Sequence, residues 1–171
     1  METARLIARA VLGSLDRIAH FRVAHAHCDI PCGIYDPHLA QVAAHTVLRM
    51  DMLINETAQV PPTDASTRNK MIRYISVKEQ HAELVKHEVR VIWGDYIKPE
   101  HIKANPKLHE LVFDIMKTAS KAKQDTSVDT SKDLIKKVEQ FAEIFWKTKG
   151  VETKRVKAFY PTEEEIVYPK V

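Results

Sequence analysis

The sequence predicts an all-α fold: a four-helix bundle with a short metal-binding hook ahead of it. Three observations point there. Between Pro37 and Gly150 the apolar residues recur with a helical period. Prolines and polar clusters cut that region into four amphipathic stretches with short connections. Strand-like alternation is confined to Glu165-Ile166-Val167-Tyr168.

Residues 1–26 read as a separate segment. Ile7, Val11, Leu15 and Ile18 share one face of a helix, with arginines opposite. A secretory signal needs ~7–15 uninterrupted apolar residues, and Arg9, Asp16, Arg17 and His20 break every run. The segment ends in Ala24-His25-Ala26, a small-x-small pattern typical of a processing site. It is expected to be a removable propeptide cut between Ala26 and His27.

Residues 27–37 form the hook, and residues 38–150 the bundle. Leu39, Val42, Val47, Met50 and Ile54 mark a first helix that stops before Pro61-Pro62. Asp64 or Ser66 is expected to cap a second. Its apolar face runs through Met71, Ile75, Ala82, Val85, Val89, Ile92, Trp93 and Tyr96, ending near Pro99, and Trp93 is expected in the core. Pro106 opens a third helix, with Leu108, Leu111, Val112 and Ile115. Thr126 to Ser131 reads as a polar break. Leu134, Val138, Phe141 and Phe145 mark the fourth helix, closed by Gly150. Residues 151–171 read as an irregular C-terminal tail.

The chain has 171 residues, 44% hydrophobic and 29% charged, enough for one domain with a sizeable core. A net charge of +3, without a clustered basic patch, argues against a nucleic-acid partner. No apolar run is long enough to span a membrane. His38, His45, His87, His101 and His109 are scattered and read as surface or satisfied histidines. Lys117, Lys121 and Lys123 read as a solvated face.

Both cysteines lie in His27-Cys28-Asp29-Ile30-Pro31-Cys32-Gly33-Ile34-Tyr35-Asp36-Pro37. Two cysteines cannot make a disulfide framework for this length. They can form one local disulfide, a redox pair or a metal site. The spacing is not the C-x-x-C of thioredoxin-like motifs, and no second pair completes a zinc site. Pro31 restricts the chain and Gly33 permits a sharp turn, which together can fold both thiols toward one point. If cleavage follows Ala26, the α-amine of His27 becomes a further nitrogen donor. Two nitrogens with two thiolates form a square-planar set suited to Ni(II) or Cu(II).

The hook, His27-Cys28-x-x-Pro31-Cys32-Gly33-x-Tyr35-Asp36-Pro37, resembles that of nickel-containing superoxide dismutases. So do Glu79-Gln80-His81-Ala82-Glu83-Leu84-x-Lys86 and Trp93-x-Asp95-Tyr96-x-Lys98-Pro99. The resemblance covers about residues 27–149. It implies a helical bundle assembled as a homohexamer, and disproportionation of superoxide to O₂ and H₂O₂ with nickel cycling between Ni(II) and Ni(III). It further implies that the amine and imidazole of His27, the amide nitrogen and thiolate of Cys28, and the thiolate of Cys32 hold nickel. Tyr35, Tyr96 and Lys98 match residues beside the substrate approach. His81 stands where some members have Arg, in a position to orient His27. Ala43 stands where some have Glu.

Two other readings remain at this point: a nickel or copper carrier using the same hook, and a thiol–disulfide oxidoreductase. A reduced thiol pair without a secretory signal favours the cytoplasm. A propeptide-cleaving protease is an implied partner.

Overall fold

The computed structural model describes residues 33–59 and 64–170. The chain divides into two compact units, Met1–Cys32 and Gly33–Val171, and the described residues belong to the second. The expected propeptide and His27, Cys28 and Cys32 lie outside the described residues.

Helix α1 spans His38–Ala58. Asp36 accepts a hydrogen bond from the His38 N–H at 2.8 Å, satisfying one of the donors a helix start leaves unpaired. The inner face of α1 begins with Ala40, Ala43 and Ala44, all buried, whose small side chains allow close helix approach. Helix α2 spans Ala65–Val91 and is capped by Asp64, which accepts from the Thr67 N–H at 2.8 Å. A π-turn, Ile92–Tyr96, continues it and closes with an Ile97 N–H to Ile92 carbonyl bond. The short α3, Pro99–Ala104, starts on its proline. Helix α4 spans Leu108–Gln124 and α5 Val128–Thr148.

The four long helices close a ring: α1 packs on α2 and α5, and α4 packs on the same two. Phe141 and Phe145 of α5, Leu48 of α1, Val85 of α2 and Ile115 of α4 meet in one buried core. The expected bundle is present. A buried ion pair crosses it, Lys78 of α2 to Asp51 of α1 at 2.9 Å. Ser131 of α5 bonds the second Asp51 oxygen, and Lys78 also donates to the Asp125 carbonyl. Burial pushes the Asp51 carboxyl above its ordinary range, against the pull of Ser131 and Lys78.

Four expectations are corrected. The tail is not irregular: β1, Thr153–Lys157, pairs antiparallel with β2, Glu165–Pro169, with Val156 opposite Ile166. Ile166 and Val167 are buried against the bundle. Helix α5 begins inside the expected polar break, because Ser127 caps it by accepting from the Thr130 N–H at 3.2 Å. Ile75 is exposed although it was assigned to the buried face of α2, and neighbouring Ile72 is exposed too. Trp93 is also turned outward, 37% exposed, with its indole N–H donating to His109 at 3.0 Å. A π-turn carries one residue more per turn than a purely α-helical register assumes, and the register past Ile92 shifts accordingly.

Candidate metal centre

Gly33, the first described residue of the hook, has a φ of +72°, the left-handed conformation predicted for a sharp turn. Asp36 then fixes the start of α1, and Pro37 is buried. Tyr35 is therefore held between a turn and a helix start. Its ring lies 5.5 Å from that of Tyr96, centroid to centroid. The structure thus brings together two of the expected site residues, separated by sixty-one positions in sequence.

Tyr96 is the centre of a larger group. His101 stacks on it at 5.4 Å, Phe145 lies at 5.0 Å, and the Lys149 ammonium sits 5.2 Å from its ring centroid. The cation is favourably placed on the electron-rich ring face. The Tyr96 hydroxyl is 2.8 Å from Thr148 Oγ1, and the Thr148 hydroxyl donates to the Phe145 carbonyl at 2.6 Å. With the threonine proton committed, Tyr96 is the donor in the first bond.

Lys98 lies two residues past the end of the π-turn and is exposed. Its backbone N–H donates to His101 Nδ1 at 3.2 Å, which ties the lysine backbone to the ring stacked on Tyr96. His81 does not join that stack. Its Nδ1–H donates to the Val77 carbonyl at 2.8 Å within α2. Ala43 is packed in the core and supplies no carboxylate of its own.

Thr148, Lys149 and His101 were not singled out as site residues from the sequence. Phe145, Thr148 and Lys149 stand at i, i+3 and i+4, one helical face. That spacing alone does not say that Tyr96 packs on them. His101, read as a surface or satisfied histidine, is satisfied: it accepts from the Lys98 N–H and lies half-buried against Tyr96.

Among the described residues, no group of three or more His, Cys, Asp or Glu side chains is arranged to hold a metal ion. The hook contains both cysteines of the chain next to a histidine. Soft thiolates beside nitrogen donors fit nickel.

The family model for nickel-containing superoxide dismutase matches residues 22–149. The "Superoxide dismutase [Ni]" of Streptomyces seoulensis is 39% identical over 126 residues, 72% of this chain and 88% of that protein. The protein of the same name from Streptomyces coelicolor is 39% identical over 124 residues, with the same shares covered. A crystal structure of a nickel-containing superoxide dismutase with the ligation of the oxidised state matches with a TM-score of 0.62 and 39% identity. It covers 72% of this chain and 99% of the other. The structure after partial reduction matches with a TM-score of 0.63 at the same identity and coverage. The chain belongs to the nickel-containing superoxide dismutase family.

Proposed function

We propose that this protein disproportionates superoxide at the hook after residues 1–26 are removed: two superoxide ions and two protons give O₂ and H₂O₂. The observation that carries this reading is the family match from residue 22 to 149, which includes the complete donor set His27, Cys28 and Cys32. Relatives named as dismutases do not favour the carrier reading.

The amine and imidazole of His27, the amide nitrogen and thiolate of Cys28 and the thiolate of Cys32 would hold the metal. When bound, nickel supplies the one-electron couple that dismutation needs. Thiolate donation makes the higher oxidation state accessible, which nitrogen and oxygen donors alone do not achieve as readily.

The surrounding residues handle the substrate and its protons. Lys98 is an exposed cation beside the aromatic group, and it raises the local concentration of a small anion. Tyr35 borders the approach. Tyr96 already spends its proton on Thr148, so it serves as an acceptor for a water or a protonated product. By resemblance, His81 would orient the His27 imidazole.

By resemblance the protein works as a homohexamer. Free thiolates at the hook require a reducing compartment, which supports the cytoplasm. No helix among the described residues is long and apolar enough to cross a membrane.

The test is superoxide decay by stopped flow, with intact mass as a check on the N-terminus. The nickel-loaded chain beginning at His27 is expected to turn over superoxide far above free nickel, and the full-length chain is not. Equal activity of both forms would defeat the processing step. No activity of the trimmed form would defeat the enzyme reading.

A further inference from the structure

The C-terminal hairpin lies outside the family match, which stops at residue 149, while β1 begins at Thr153. The solved relatives use 99% of their own length to cover 72% of this chain. The hairpin is therefore an addition to the part they share with it.

It is fastened to two helices. On α1, the Gln41 side chain bonds both backbone groups of Val167: the Val167 N–H donates to Oε1 at 2.8 Å, and Nε2 donates to the Val167 carbonyl at 3.0 Å. One turn on, His45 Nε2–H donates to the Glu165 carbonyl at 2.9 Å, and the Thr162 hydroxyl donates to its Nδ1 at 2.8 Å. Tyr168 packs on His38, the first residue of the helix, at 5.8 Å between ring centroids. On α5, Arg155 binds Glu139 at 2.7 Å and Glu143 at 2.7 Å.

The positions of these anchors matter more than their number. The strand β1 leaves from the end of α5, just after Thr148 and Lys149, which hold Tyr96. The strand β2 returns to the first turns of α1, just after Tyr35. The hairpin thus joins the two helix ends that carry the opposite sides of the Tyr35–Tyr96 pair. Gln41 is 3% exposed, so without Val167 its amide would be a buried polar group with no partner, a costly state.

We propose that the hairpin is a brace that positions the exit of the hook. By fixing the first two turns of α1 against the end of α5, it fixes where Tyr35 stands relative to Tyr96. Gln41 is its principal positioning residue. The proposal rests on the nickel-hook reading above for its catalytic consequence, but its structural part does not.

The test uses the full mature chain with Gln41→Met, which keeps the length of the side chain and removes both bonds to Val167. Ile115→Val serves as a control of mild destabilisation in the core, away from the hairpin. Amide hydrogen exchange is read across α1 and α4. The Gln41→Met chain is expected to exchange about tenfold faster at residues 38–45, with α4 unchanged. The nickel-loaded protein should also give a broadened spin-resonance signal for its axial nitrogen and a lower kcat. Ile115→Val should do none of these. Should Gln41→Met fail to fold, Tyr168→Leu replaces it with the same expected pattern. Unchanged exchange at residues 38–45, or the same change in Ile115→Val, overturns the brace. A faster-exchanging α1 start with an unaltered nickel signal and kcat overturns the positioning claim. If the unmutated chain gives neither turnover nor a nickel signal, the function reading has failed, and hydrogen exchange still decides the brace.

Discussion

The two ends of the Tyr35-to-Gln41 stretch treat polar groups in opposite ways. Around Tyr96 they are half-buried or exposed: Tyr35, Tyr96, His101, Lys98 and Lys149 all keep contact with solvent. Under the hairpin and across the bundle they are sealed: Gln41, His45, Asp51, Lys78 and Glu139 are buried. Among the described residues, no buried side-chain nitrogen or oxygen lacks a hydrogen-bond partner. The first region leaves polar atoms in contact with solvent. The second uses them up to fix a register. Substitutions in the first should therefore change turnover at nearly constant stability, and those at Asp51, Lys78 and Glu139, away from the brace at Gln41, should do the reverse.

The largest effect is expected at the hook. Cys28→Ser or Cys32→Ser should reduce superoxide turnover to the level of the nickel-free protein and remove the thiolate bands from the absorption spectrum. Thermal melting of the nickel-free bundle should be unchanged. Retained turnover would break the ligand assignment.

The next largest lies in the sealed region. Lys78→Met leaves Asp51 as a buried carboxylate without its ammonium partner, at a cost of about 3–5 kcal/mol in urea unfolding. Turnover per folded molecule should stay the same. A cost below 1 kcal/mol would mean that Ser131 alone is enough for Asp51.

Glu139 gives the comparison a pH dependence. Burial pushes its carboxyl up to about 7, with Glu165, Glu143 and Glu164 adding to the rise and Arg155 opposing it. A raised folded-state value means that the folded chain holds a proton which the unfolded chain has released above 4.5. The stability from this group is therefore complete below pH 4.5 and is lost as pH rises through 7. The loss is roughly 3–4 kcal/mol at ~1.4 kcal/mol per unit. His45 acts in the other direction: burial lowers it, so its contribution is present above 6.5 and is lost as pH falls through its folded value. Glu139→Gln should remove the downward slope between pH 4.5 and 7 and leave the rise due to His45. Urea melts at pH 5 and pH 7.5 measure this, and an unchanged slope would contradict it.

The smallest effect concerns the proton of Tyr96. Tyr96→Phe removes the phenolic oxygen, and a loss of about 1 kcal/mol, or roughly fivefold in kcat/KM, is expected. Thr148→Val removes the acceptor instead and releases the phenolic proton toward the substrate side. If both variants lose the same activity, the direction of that bond has no consequence for turnover.

The long helices were legible because each carries an apolar face over many turns, as in Leu134, Val138, Phe141 and Phe145 of α5. The family was legible because cysteine, histidine, proline and glycine coincide in residues 27–37. The strand β1 was not. Its sequence, Thr153-Lys154-Arg155-Val156-Lys157, has one strongly apolar residue, and its partner lies beyond a loop. Its stability comes from Arg155 reaching Glu139 and Glu143, a tertiary contact that no local pattern records. The outward turn of Trp93 was illegible for a related reason. The π-turn changes the register by one residue, and an α-helical count cannot detect that. The partners of Tyr96 on α5 are forty-nine or more positions away in sequence, so only packing brings them to it.

The central claim is that His27 must be the first residue, because its α-amine is a ligand. The most direct measurement compares two nickel-treated chains, one beginning at His27 and one with a single added residue before it. Spin resonance and superoxide decay are recorded on both. The account predicts a Ni(III) signal with axial nitrogen coupling and fast decay in the first, and neither in the second. The same signal and rate in both chains would contradict it.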